Sequence, residues 1–149
     1  MGEFAAMSVI RDIMSKIVVS IRPDATLMDA VKLLTKHHLS GAPVVTAQGD
    51  VVGFISEPNL MDVLFDSAVR KLPVAEFMSR SMHVVDAQDP IAAAASMFAM
   101  YGVRRLPVIE GGRFVGVLTR RDLLAYALDN DEPLADPLTE LIPALGEYA

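Results

Sequence analysis

The sequence predicts an α/β (α+β) fold built from two pseudo-symmetric β-α-β-β-α motifs packed through their small sheets. Three observations carry this expectation. The chain repeats itself at a nearly fixed offset. Each copy opens with apolar residues at helical spacing. Each copy then carries two short apolar runs joined by a glycine turn.

The repeat comes first. "RDIMSKIVVSIRPDATLMDAVKLL" lies over "AEFMSRSMHVVDAQDPIAAAASMF", with Met14-Ser15 on Met78-Ser79, an offset of 64. At that offset Leu27, Ala30, Val31 and Leu34 fall on Ile91, Ala94, Ala95 and Phe98. Both quartets have the i, i+3, i+4, i+7 spacing of one apolar helix face. "GAPVV" (41–45) falls on "RLPVI" (105–109). After a one-residue slip, "VVGFISEPNL" (51–60) falls on "FVGVLTRRDL" (114–123). Self-similarity over most of a chain marks a duplicated structural unit.

The elements follow in order. An extended piece (Ile17–Ile21; Met82–Val85) leads into a helix. Thr26 with Asp29 three residues on forms a capping-box pattern, and Asp89 precedes Pro90 at the expected first helical position. A strand follows (Pro43–Thr46; Pro107–Glu110), then a turn, "AQGD" or "EGGR", whose glycines supply a positive φ. A second strand (Val51–Ile55; Arg113–Leu118) leads to a last helix (Pro58–Phe65; Arg121–Leu128). The expected boundaries are 1–8 for an N-terminal segment, 9–66 for the first motif, 67–72 for a linker, 73–128 for the second motif and 129–149 for an acidic tail. "MGEFAA" reads as an expression remnant ahead of Met7. In the tail, Pro137 is placed to start a short helix and Pro143 to end it. One copy alone has too little core to be stable, so the pair is expected to fold as one unit.

Composition narrows the function. Hydrophobic residues make up 52% of the 149, enough for a sizeable core. The absence of cysteine removes disulfides, thiolate metal sites and a Cys nucleophile. No apolar run is long enough to span a bilayer and no signal peptide is visible, so a soluble, cytoplasmic protein with no membrane association is the expectation. The net charge of −6 disfavours nucleic-acid binding. No nucleophile elbow, phosphate-cradling glycine loop or acid–base carboxylate pair is present, so no enzyme, catalytic residue or catalytic cofactor is expected. His37 and His38 are adjacent, point about 100° apart on a helix and do not share a metal; they read as helix-end cations.

One stretch departs from the acidic average. Val103 to Leu124 holds five arginines (Arg104, Arg105, Arg113, Arg120, Arg121) against Glu110 and Asp122. Within it, Thr119-x-x-Asp122 repeats Ser56-x-x-Asn59. This is a helix N-cap pattern, worth about 1 kcal/mol. It also stands where unpaired N–H groups favour an anion or a polar ligand, and an Asp there accepts bonds from a ribose diol. The arginines are either a solubilising face or bidentate phosphate donors.

The doubled "MS" start, the "PVV/PVI" strand and the "VGFIS/VGVLT" strand with its following x-x-Asn/Asp resemble a tandem pair of cystathionine-β-synthase (CBS) domains, a Bateman module, here expected to stand alone. The match covers roughly Val9 to Leu128. The resemblance implies a regulatory, sensory module that binds an adenosine-containing ligand (AMP, ADP, ATP or S-adenosylmethionine) in the cleft between the copies, as a homodimer acting on an unknown regulated protein. It places the ribose on Thr119 and Asp122. It places adenine against Ile17, Val18, Val19, Leu39 and Ser40, and phosphates on Arg104 and Arg105, with Arg120 and Arg121 alongside. The first copy departs from the pattern. Asn59 replaces the acid, Pro58 precedes it, and Ser40-Gly41 replace Arg104-Arg105. The mirror site (Ser56, Asn59, Met82, His83, Val103) is therefore expected to be weaker. The alternative is a structural or protein-interaction dimer with no small-molecule ligand.

Overall fold

The computed structural model describes residues 8–16, 18–130 and 133–134. The expected N-terminal remnant and the expected tail helix lie outside the described residues. The chain divides into two compact units. Among the described residues, the first-copy unit comprises 18–83 with 111–114, and the second-copy unit comprises 8–16, 84–110, 115–130 and 133–134.

In the first-copy unit, the expected extended piece contributes a single parallel bridge, Ile21 to Val44. Pro23, two residues on, has no N–H with which to continue a ladder. Helix α1 (Leu27–His37) starts as expected. Thr26 Oγ1 accepts from the Asp29 N–H at 3.1 Å, and the Asp29 carboxylate accepts from the Thr26 N–H at 3.0 Å. These bonds hold the Asp29 carboxyl below its ordinary pKa. The helix ends on His38 in the left-handed region, φ 54°. Both histidines are exposed at the helix end. Strands β1 (Gly41–Val45) and β2 (Val51–Ser56) pair antiparallel, Ala42 opposite Ile55. Their register shifts between Val44 and Val45, in the hairpin where the sequence repeat slips by one. The next helix is shorter than expected: α2 covers Glu57–Leu60 and tightens into a 3₁₀ turn over Met61–Leu64.

The second-copy unit repeats this plan. Strand β3 is Val85–Asp86 rather than Met82–Val85, and Val85 pairs parallel with Val108. Its offset from the Ile21–Val44 bridge is 64 for both partners. Helix α3 spans Ile91–Tyr101 with Pro90 as the N-cap, not the first helical residue. Asp89 turns its carboxylate back to the Asp86 N–H at 3.1 Å, so it closes a turn instead of capping the helix. Gly102 ends α3 with φ 62°, matching His38. Strands β4 (Arg105–Glu110) and β5 (Arg113–Thr119) complete a sheet in the order β3-β4-β5, and α4 runs Arg120–Asp129.

The lead-in segments are exchanged between the sequence copies. Met14-Ser15, from the start of the first copy, lies in the second-copy unit, where Ser15 and Val117 exchange two backbone bonds of 2.9 and 3.0 Å. Met78-Ser79 lies in the first-copy unit, where Ser79 and Phe54 exchange two bonds of 2.8 Å. A glycine admits each methionine. A Cβ on Gly116 would meet Met14 Sδ at 2.6 Å, and one on Gly53 would meet Met78 Sδ at 2.5 Å.

The cores are matched sets. Ile21, Ala30, Leu34, Ala42, Val44, Ile55 and Val74 fill the first-copy unit. Val85, Ala94, Phe98, Leu106, Val108, Leu118 and Ile10 fill the second at equivalent positions. Burying each large aliphatic side chain contributes roughly 1.5–3 kcal/mol. Among the described residues no buried residue is polar or charged, and the one buried side-chain oxygen without a hydrogen-bond partner is Oγ of the half-buried Ser96. No helix among them is long and apolar enough to cross a membrane.

Candidate ligand-binding site

The Thr119-x-x-Asp122 motif sits where β5 becomes α4. Thr119 stays extended (φ −117°, ψ 164°), so the chain leaves the sheet and opens the helix at one residue. Thr119 Oγ1 accepts from the Asp122 N–H at 3.2 Å, and Asp122 Oδ2 accepts from the Thr119 N–H at 2.8 Å. Both side chains are half-buried. The box leaves Asp122 Oδ1 and the Thr119 O–H uncommitted. A carboxylate oxygen beside a hydroxyl at a helix N-terminus can receive and return the hydrogen bonds of a vicinal diol.

The equivalent positions of the first copy are arranged differently. Asn59 Oδ1 takes both the Ser56 N–H, at 2.9 Å, and the Ser56 hydroxyl, at 2.8 Å. Asn59 Oδ1 thus holds both Ser56 donors, while the Asn59 amino group stays outside the box, and the amide brings no charge.

The arginines divide. The Arg120 guanidinium folds back on the end of α3. Nε donates to the Val103 carbonyl at 3.1 Å, and Nη2 donates to the carbonyls of Val103 and Gly102 at 3.0 and 3.2 Å. There it satisfies orphan carbonyls and opposes the negative end of the helix dipole. This anchoring role was missed at the sequence level. Spacing locates a helix start but not the reach of a long side chain to the preceding helix. The same bonds draw the segment before β4, and with it Arg104, to the start of α4, where Thr119, Asp122 and Arg121 stand. Arg104 and Arg121 are exposed and Arg105 is half-buried. Among the described residues no carboxylate lies within ion-pair distance of these three.

The remaining candidates are placed as follows. Val18, Val19, Leu39 and Ser40 belong to the first-copy unit, Val18 exposed and the other three half-buried. The Ser40 carbonyl accepts from the Glu57 N–H at 3.0 Å. Ile17 lies outside the described residues. Ser56, Asn59, Met82 and His83 are in the first-copy unit, and Val103 is in the second. Among the described residues no cluster of His, Asp or Glu is disposed to hold a metal.

A duplicated β-α-β-β-α plan whose second copy carries a capped, polar helix start defines a tandem-repeat α/β protein. The CBS-domain family model matches residues 10–66 and 74–129, most of the chain, and the chain belongs to that family as a tandem pair. It is similar to the CBS domain-containing protein YhcV of Bacillus subtilis, 25% identical over 84% of this chain and 89% of that protein. It is 28% identical to an A-adding tRNA nucleotidyltransferase of Aquifex aeolicus. It spans 15% of that enzyme's length, and 41% and 23% of two Methanocaldococcus jannaschii relatives, an uncharacterized protein and an L-aspartate semialdehyde sulfurtransferase. Among solved structures it resembles CBSX2 in complex with AMP (TM-score 0.73, 26% identity, covering 84% of this chain and 99% of that one). It also resembles the CBS pair of protein MJ0100 in complex with 5-methylthioadenosine and S-adenosyl-L-methionine (TM-score 0.66, 26% identity, 83% and 98% covered).

Proposed function

We propose that this CBS pair is a non-catalytic regulatory module that binds an adenosine-containing ligand. Its ribose diol meets Thr119 and Asp122, and its phosphates meet Arg104, Arg105 and Arg121. The observation that carries the reading is the half-spent capping box, which holds a carboxylate oxygen and a hydroxyl ready at the start of α4. The neutral Asn59, whose one acceptor oxygen already takes the Ser56 N–H and hydroxyl, makes the first-copy site the weaker of the two. The ligands seen in CBSX2 and in protein MJ0100 support the adenosine class. Three unpaired arginines favour phosphates over a sulfonium. In this reading the module acts in the cytoplasm as a homodimer. The outward faces of α3 and α4, where Met100 and Leu128 stand 55% and 86% exposed, supply the dimer surface. A solution mass equal to one chain would overturn the dimer.

The test is a thermal-shift panel with AMP, ADP, ATP, S-adenosylmethionine and a guanosine monophosphate control, on the wild type and on Asp122→Asn. Asparagine keeps the backbone bond, as Asn59 does in the first copy, and replaces the free, charged carboxylate oxygen with a neutral amino donor. A ligand at about 100 times its Kd stabilises by about 2.7 kcal/mol, or roughly 5–10 °C for a chain of this size. The expected result is a shift with an adenosine ligand that is lost in Asp122→Asn. No shift with any of them, or an equal shift in the variant, overturns the proposal.

A further inference from the structure

The two copies differ at one more place, and there one copy shows what the other lacks. In the second copy the end of α3 is closed by the Arg120 guanidinium on the carbonyls of Gly102 and Val103. The equivalent carbonyls in the first copy are those of His38 and Leu39, at the end of α1, and the residue equivalent to Arg120 is Glu57. Among the described residues no donor reaches either carbonyl. Instead of a filled contact there is an open groove of about 540 Å³ between the end of α1 and α2 with its 3₁₀ turn. Its floor is Leu34, Leu39 and Leu60, with Glu57 on its wall. At the equivalent positions the second copy carries Phe98 for Leu34 and Arg120 for Glu57, so the twins differ here in both bulk and charge.

The chemistry of the groove is one-sided. A helix C-terminus presents unpaired carbonyls and the negative end of a dipole. Glu57 adds a full negative charge, and no ion-pair partner reaches it among the described residues. Apolar walls suit an aliphatic stem. The missing piece has the form of the side chain that occupies the twin site. We propose that the groove receives an arginine side chain from a segment of a partner polypeptide, its guanidinium lying on Glu57 and the carbonyls of His38 and Leu39. The rim selects a peptide over a free amine. Met61 and Leu64, on the groove's edge, and Phe65 beside them stand 51%, 62% and 85% exposed. They match apolar neighbours of the arginine and offer nothing to a free amino acid's own charges. The groove shares no residue with the Thr119–Asp122 box, but Leu39 and Ser40, which the family resemblance sets against adenine, line it. The peptide assay is read on Glu57 variants and the nucleotide assay on Asp122→Asn, so the two readings fail separately.

The probe is a fluorescein-labelled hexapeptide, Leu-Ala-Arg-Leu-Ala-Leu-amide, with a twin carrying neutral, isosteric citrulline in place of arginine. Fluorescence anisotropy reads affinity for the full chain, and melting temperature reads folding. The arginine peptide is expected to bind at least tenfold more tightly than its twin. Glu57→Arg supplies the guanidinium internally, so it is expected to raise the melting temperature and weaken the peptide at least tenfold. Glu57→Gln keeps the fold without that substitute and is expected to weaken the peptide severalfold. Equal affinity for the two peptides, unchanged binding in both variants, or no binding at millimolar concentration overturns the proposal. So do amide shifts of Leu39 and Leu60 that move with protein concentration before peptide is added, because a second copy of the chain then fills the groove.

Discussion

Replacing Gly116 by alanine tests how the lead-in segment is held. The backbone there lies outside the left-handed region, so alanine strains nothing but space. The new Cβ would stand 2.6 Å from Met14 Sδ, 2.8 Å from the Ser15 carbonyl oxygen and 3.2 Å from Met14 Cε. The thioether can rotate away. The carbonyl cannot, because Ser15 is tied to Val117 by two backbone bonds. Releasing the whole segment would expose Ile10 and Met14, at roughly 1.5–3 kcal/mol each, and break two bonds of about 1 kcal/mol each. That exceeds the ~1–3 kcal/mol of overpacking, so the segment shifts but stays. Alanine's lower unfolded-state entropy returns about 0.4–1 kcal/mol. The net expectation is a loss of about 1.3 kcal/mol, or roughly 3–5 °C in melting temperature. Faster hydrogen exchange at the amides of Ser15 and Val117 should accompany it. Gly53→Ala, against Met78 and Ser79, should behave alike. A melting temperature within about 1 °C of wild type with unchanged exchange would refute the packing argument.

Thr119→Ala removes one capping bond and should cost about 1 kcal/mol in a urea titration, with the loss localised to the start of α4. Arg120→Ala uncovers the carbonyls of Gly102 and Val103 and should lower stability by about 1 kcal/mol, read as a shift in the urea midpoint at constant slope. A neutral result would show the guanidinium to be an idle surface contact. Asp29 supplies a pH signature. Its carboxyl is held below its ordinary value by the Thr26 bonds. Its contribution is therefore whole above the unfolded pKa and lost as pH falls through the lowered folded value. The melting temperatures of wild type and Asp29→Asn should converge on acidification through that range; a gap that stays constant would contradict it.

Much of the fold was legible because duplication tests each reading twice. The helix faces led by Leu27 and Ile91 and the hairpins after Pro43 and Pro107 appear where periodicity placed them. The one-residue slip between copies falls in the β1–β2 hairpin, whose register is irregular. Pro90 misled, because a proline can stand at the N-cap as well as one residue later, and Asp89 had a nearer backbone donor in Asp86. The Thr119–Asp122 box was readable from local spacing. The roles of Gly53, Gly116 and Arg120 were not. They depend on which distant segment arrives beside them, and no local pattern encodes that.

The exchange of lead-ins bears on how such a protein arises and how it can be cut. Severing the chain between the copies leaves each half with a methionine finger shaped for the other half's hairpin and a glycine notch with nothing in it. Two such fragments are complementary rather than independent, and mixing them should restore what neither holds alone. By the same logic, two single copies could complete each other by trading fingers. Carrying both copies in one chain makes a permanent contact of what would otherwise be a concentration-dependent encounter.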